Sequence, residues 1–114
     1  MISYGLLDIL EQHVGQASFH IASEKAVRIE FMRFSKGQQL GPLKYAGDVV
    51  VTCLNGTFEF GEDVTPATIL TQVVVPEGEG LKIHCVSDVG AVQLIWAPPF
   101  MQNSLGAREF LNSP

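Results

Sequence analysis

Positive charge is scarce in this chain. Seven Lys and Arg stand against twelve Asp and Glu, a formal charge of −5, and the basic residues form no cluster. A run of phosphates would find nothing to neutralise it, so nucleic acid is not an expected partner. No apolar stretch approaches the length of about 20 residues that spans a bilayer, which removes a membrane-spanning helix and a membrane partner from the expectation. The N-terminus has neither the basic region nor the small-residue cleavage site of a secretory signal, and Asp8 interrupts its only short apolar cluster; a cytoplasmic location is expected. Cysteine is limited to Cys53 and Cys85. Two cysteines so far apart exclude a zinc ribbon and read as reduced thiols. The histidines His13, His20 and His84 fall in separate elements without metal-ligand spacing.

What is present points to a packed core. Hydrophobic residues make up 46% of the chain and charged residues 17%, a balance that excludes a disordered polymer, and 114 residues suit one soluble domain over 1–114. Leu6, Leu7, Leu10 and Val14 recur at helical spacing between Ser3 and Gly15, predicting a short N-terminal helix over residues 3–14, with His13 favoured near its C-terminal end by the helix dipole. From Ala17 the period becomes two. Phe19, Ile21, Val27, Ile29 and Phe31 mark a buried face, Ser18, His20, Ala22, Arg28 and Glu30 an outward one, and the polar break at 23–25 makes a hairpin. Phe31-Met32 breaks the alternation, predicting a bulge or an edge there.

Between the turn at 35–37 and Gly41-Pro42 the chain is expected to cross from one sheet to the other. The β-branched run Val49 to Leu54, then Asn55-Gly56, then Thr57 to Phe60 predicts a hairpin with a type I′ turn. Ile69 to Val75 reads as a strand buried on both faces at Val73-Val74-Val75. Leu81, Ile83 and Cys85 alternate with Lys82, His84 and Val86, and Ala91 to Trp96 reads as a strand ended by Ala97-Pro98-Pro99. Trp96 beside the prolines is expected at a subunit or sheet interface, and Ser104 as the cap of a short helix carrying Leu105, Phe110 and Leu111. Roughly eight short strands at about ten-residue spacing describe an all-β sandwich or closed barrel.

The section from Gly37 to Pro98 resembles the cupin family. In that family's first motif a glycine is followed after five residues by His-any-His, then by Glu, and after six more by Gly. Gly37 and Gly56 match the glycines, while Leu43 and Tyr45 stand at the histidine positions and Val49 at the glutamate. The second motif matches at Pro76-Glu77-Gly78, with Leu81 at its histidine and Cys85 at its asparagine. The resemblance implies a double-stranded β-helix, or jelly-roll barrel, with the motif-bearing core at about 17–98, a tail at 101–114, and pairing into a homodimer.

Leu and Val donate nothing to a metal and one tyrosine would not hold it, so no metal or other cofactor is expected. Alternation turns His84 away from Leu81, Ile83 and Cys85. If Leu43, Tyr45, Val49, Cys53, Leu81, Ile83 and Cys85 face inward, the lumen is either a filled core or an apolar pocket in which Tyr45 supplies the polar handle. Both thiols read as buried and inert, since no cation or helix N-terminus is at hand to lower their pKa. The expected function is binding of an unidentified small molecule, or a regulatory role, without metal. The alternative is a metal-independent isomerase, epimerase or lyase acting on a small polar metabolite with Tyr45 as acid or base.

Overall fold

The computed structural model describes residues 18–23, 27–98 and 111–112, the first and last of these by backbone alone. The helices expected over 3–14 and from Ser104 lie outside the described residues, except that Leu111 belongs to a strand. Among the described residues there is no helix.

Period-two alternation is realised as ten strands: β1 (Ser18–Ser23), β2 (Arg28–Ser35), β3 (Gln39–Lys44), β4 (Asp48–Asn55), β5 (Phe58–Phe60), β6 (Thr65–Ala67), β7 (Gln72–Val75), β8 (Gly80–Cys85), β9 (Val89–Ala97) and β10 (Leu111–Asn112). They form two five-stranded sheets of order β1-β2-β9-β4-β7 and β10-β3-β8-β5-β6, every pairing antiparallel. The inward residues of both sheets meet in one cluster. Met32, Phe34, Val49, Val51, Val92, Leu94 and Trp96 come from one side, and Leu40, Phe58, Phe60, Leu81 and Ile83 from the other. Burying apolar area at about 25 cal/mol per Å² is what holds two such sheets face to face.

The expected hairpins fare differently. β1 and β2 pair as predicted, and the chain passes to the second sheet between β2 and β3, also as predicted. Asn55-Gly56 does not make a hairpin. β4 and β5 belong to different sheets, so this dipeptide is a corner between layers. Gly56 has φ 80 and Asn55 is not in the left-handed region, whereas a type I′ turn needs both residues there. The corner is tight enough to require glycine, because a Cβ on Gly56 would stand 2.4 Å from the Val89 carbonyl oxygen.

The strand expected from Ile69 begins only at Gln72, and Ile69 and Leu70 are exposed in the connection before it. Val73-Val74-Val75 is not buried on both faces either. β7 is the last strand of its sheet, so Val75 faces the core while Val74 faces solvent. The bulge expected at Phe31-Met32 falls instead on the partner strand, where the β1 register shifts between His20 and Ala22.

Candidate functional site

β2 pairs with β9 through eight successive residues without a register break, from Arg28 opposite Trp96 to Ser35 opposite Val89. A regular strand keeps one parity on each face. Since Met32 and Phe34 lie in the core, Arg28 and Glu30 lie on that same inward side. This inverts the sequence expectation, which took Val27, Ile29 and Phe31 as the inward face. Phe31 is buried as well, on the other side of the sheet and outside the core cluster.

Two charged side chains are thereby buried, Arg28 at 3% exposure and Glu30 at 1%. Each would cost several kcal/mol to desolvate alone. They face each other, Nη2 to Oε2 at 3.6 Å, and the indole Nε1 of Trp96 donates to the other carboxylate oxygen at 2.8 Å. Trp96, expected at a subunit or sheet interface, lies between the two sheets inside the barrel, where its N–H requires an acceptor. Its ring meets that of Tyr45 edge to face, centroids 4.9 Å apart and planes at 67°. The Tyr45 hydroxyl donates to the Pro98 carbonyl. Burial pushes the phenol above its ordinary pKa, and the positive charge of Arg28 partly opposes that rise.

Register places the seven candidates named from the sequence along the barrel. Leu43 is opposite Leu81, and Val49 is opposite Trp96, which touches Tyr45, so these four candidates gather at the Arg28–Glu30 end. Ile83 lies deeper in the core, and Cys53 and Cys85 occupy the far end. Val49, Cys53, Leu81, Ile83 and Cys85 are fully buried in the core cluster, and Leu43 and Tyr45 are half-buried against it. Leu43 and Tyr45 are thus the candidates at the rim. The deep lumen is packed side chain.

The four positions where cupins carry metal ligands do come together, but what they present is three hydrocarbon side chains and a phenol already donating to a carbonyl. This donor set does not fit a transition metal. Among the described residues no three His, Cys, Asp or Glu side chains are grouped to hold one. His84 points outward, as expected from alternation, with its Nδ1 3.2 Å from Glu59 Oε1. The thiols are buried, and each donates to a carbonyl, Cys53 to Gly56 at 3.5 Å and Cys85 to Ser87 at 3.4 Å. Burial raises both pKa values, so neither is an activated thiolate. A hollow of about 190 Å³ between the β5–β6 and β7–β8 turns is lined by Glu62, Asp63, Glu79 and Gly80.

Arg28, Glu30 and Trp96 are the site residues that the sequence reading missed. The available signal was parity: counting back from Met32 and Phe34 without a break reaches Glu30 and Arg28.

Comparison with known proteins gives structural likeness alone. No family model matches the sequence, and no curated protein matches it. Among solved structures, the chain is similar to an RmlC-like cupin protein from Desulfovibrio desulfuricans, with a TM-score of 0.69 at 22% identity over 88% of this chain and 99% of that one. It is also similar to a cupin-2 domain containing protein from Shewanella frigidimarina, with a TM-score of 0.68 at 15% identity over 82% and 93% of the two chains. A third likeness is to an RmlC-like cupin family protein with a double-stranded β-helix fold from Methanocaldococcus jannaschii, with a TM-score of 0.63 at 20% identity over 71% and 78%.

Proposed function

We propose, for a chain whose barrel has the cupin fold, that it is a small-molecule-binding or regulatory module working without a metal, its ligand seated at the rim formed by Tyr45, Leu43 and the residues behind them. The observation that carries this reading is the Arg28–Glu30–Trp96 cluster. A buried ion pair is an expensive way to fill a core, and replacing such a pair by apolar residues is often neutral or stabilising. Its place beside a half-buried tyrosine suits a site made of apolar walls and a few fixed polar groups. Tyr45 offers the ligand a phenol and Leu43 apolar surface, while Trp96 and the Arg28–Glu30 pair stay buried behind them and fix the surroundings of the phenol.

A thermal-shift screen of small polar metabolites tests the proposal. A compound at about 100 times its dissociation constant adds about 2.7 kcal/mol of stability, a readily measured rise in Tm. Leu43→Trp, which fills the rim, should abolish the shift, and Tyr45→Phe should weaken it. A shift that survives both variants would place the ligand elsewhere and refute the reading.

The enzymatic alternative has its own support in the Arg28–Tyr45 coupling. A phenol can give up its proton, and the guanidinium that opposes the rise of its pKa stabilises the anion left after transfer. Turnover of any compound found in the screen, lost in Tyr45→Phe while binding persists, would favour this second reading.

A further inference from the structure

Phe31 faces away from the core and yet exposes none of its surface. Register gives its companions on that outer face of the first sheet. Ile29 lies opposite Ile95, Ile95 opposite Val50, and Val50 opposite Val74, so an apolar row crosses β2, β9, β4 and β7 on the side away from the second sheet. An antiparallel sheet that meets water on one face carries polar residues there; apolar residues on both faces mark a sheet covered twice. Burial on this face falls off in one direction. Phe31 is 0% exposed and Ala91, opposite Arg33, 5%; Ile29, Ile95 and Val50 are half-buried, and Val74 at the edge is 61% exposed. Neighbours in the plane of a sheet leave the top of a ring open, so a layer lies over β2 and β9 and stops short of β7.

No described strand supplies that layer, and a single chain already shows the burial, so the cover belongs to the same chain. Residues 99–110 join β9 to β10, which pairs with β3 in the second sheet, so both their ends are committed to a crossing between sheets. Residues 24–26 are the tip of the β1–β2 hairpin, and 113–114 follow β10 on the second sheet. Residues 1–17 are tied at one end only. That end is beside the buried ring, where Ser18 pairs with Met32 and Phe19 with Phe31.

The N-terminal segment also has the chemistry for the task. Leu6, Leu7, Leu10 and Val14 recur at helical spacing, and Gln12 falls on the opposite side of the same helix. As a helix, residues 3–14 would be about 18 Å long, enough to cross three strands about 4.8 Å apart. A helix so short is marginal in water without a face to rest on. We propose that residues 3–14 dock on the outer face of the first sheet, with Leu6, Leu7, Leu10 and Val14 over Ile29, Phe31 and Ile95. The first sheet then becomes the middle of three layers, and Val74 stays exposed because the third layer ends before it.

A nitroxide attached at Gln12→Cys tests this in the full chain, since Cys53 and Cys85 are buried and leave the label one site. Amide signals of β2 and β9 should broaden, while those of β5 and β6 in the second sheet stay sharp. With Leu6→Asp, Leu10→Asp added, that broadening should disappear. Without the label, the same two substitutions should speed hydrogen exchange of the amides in 6–14 by about tenfold or more and lower Tm. Gln12→Lys, on the solvent side, should change neither. Uniform weak broadening, or broadening confined to β3 and β10, overturns the proposal. So does broadening that arises only between spin-labelled and isotope-labelled chains mixed together, which would make the cover a second copy. A Leu6→Asp, Leu10→Asp chain with wild-type exchange and Tm refutes it as well.

Discussion

Replacing Glu30 by Leu tests whether the inward polar cluster is what it has been described to be. Leucine is close to glutamate in volume, so the packing around β2 changes little, and the loss is electrostatic. Arg28, at 3% exposure, then faces hydrocarbon where a carboxylate stood. Breaking a buried pair from one side costs about 3–5 kcal/mol, because a desolvated charge has lost its compensation. The same change removes the acceptor 2.8 Å from the Trp96 indole N–H. In the double variant Arg28→Met, Glu30→Leu both charges are gone, and what remains is chiefly the unsatisfied indole, about 1–3 kcal/mol. The double variant should therefore be more stable than the single one, the reverse of additive damage. Urea unfolding followed through Trp96, the chain's one tryptophan, measures all three proteins. Against a total stability of about 5–15 kcal/mol the single loss is large enough to read directly. If Glu30→Leu lies within about 1 kcal/mol of wild type, or the double variant falls below the single, the pair is not a desolvated one and the reasoning about the site fails.

Two further outcomes rest on the same chemistry of burial and backbone strain. Burial raises the pKa of both thiols above the ordinary 9.0 and that of the Tyr45 phenol above the ordinary 10.0, so the fold prefers all three protonated. That contribution is complete below the unfolded values and is lost as pH rises through the shifted ones, so Tm should fall above about pH 9, less steeply in Cys53→Ala, Cys85→Ala; a flat profile to about pH 11 would contradict it. Val64 is β-branched, exposed, and held at φ 58 in the β5–β6 turn. Val64→Asn should stabilise the chain by roughly 0.5–1 kcal/mol in urea unfolding, and an unchanged or lower midpoint would mean that the conformation is not strained.

Most of the strands could be read from the sequence because turn residues punctuate it at short intervals and alternation is strict in β4 and β8. The partners could not. Asn55-Gly56 has the local chemistry of a hairpin, and nothing local tells that the next strand joins the opposite sheet. β2 shows the second limit. Arg28 and Glu30 alternate with Ile29 and Phe31, so local hydropathy favours the wrong face. The register with β9 and the indole donor 66 residues away in sequence settle it. Leu43, Tyr45, Val49 and Leu81 did gather at one end, because glycine and proline spacings fix the corners that bring them there. Their polar neighbours remained hidden, since a charged residue in a strand is ordinarily taken to face water.

The corner at Asn55-Gly56 also governs the order in which the barrel can be completed. With no hairpin there, β4 cannot fold back on β5 and must wait for β7 and β9. β9 is flanked by β2 on one side and β4 on the other. On a ribosome, β2 and β4 emerge long before the strand that joins them, carrying unmatched edges and apolar faces through the synthesis of the intervening residues. Pairings so distant along the chain close large loops before any contact repays them, which makes for slow folding. The first sheet thus forms from its outer strands toward a centre that is made last.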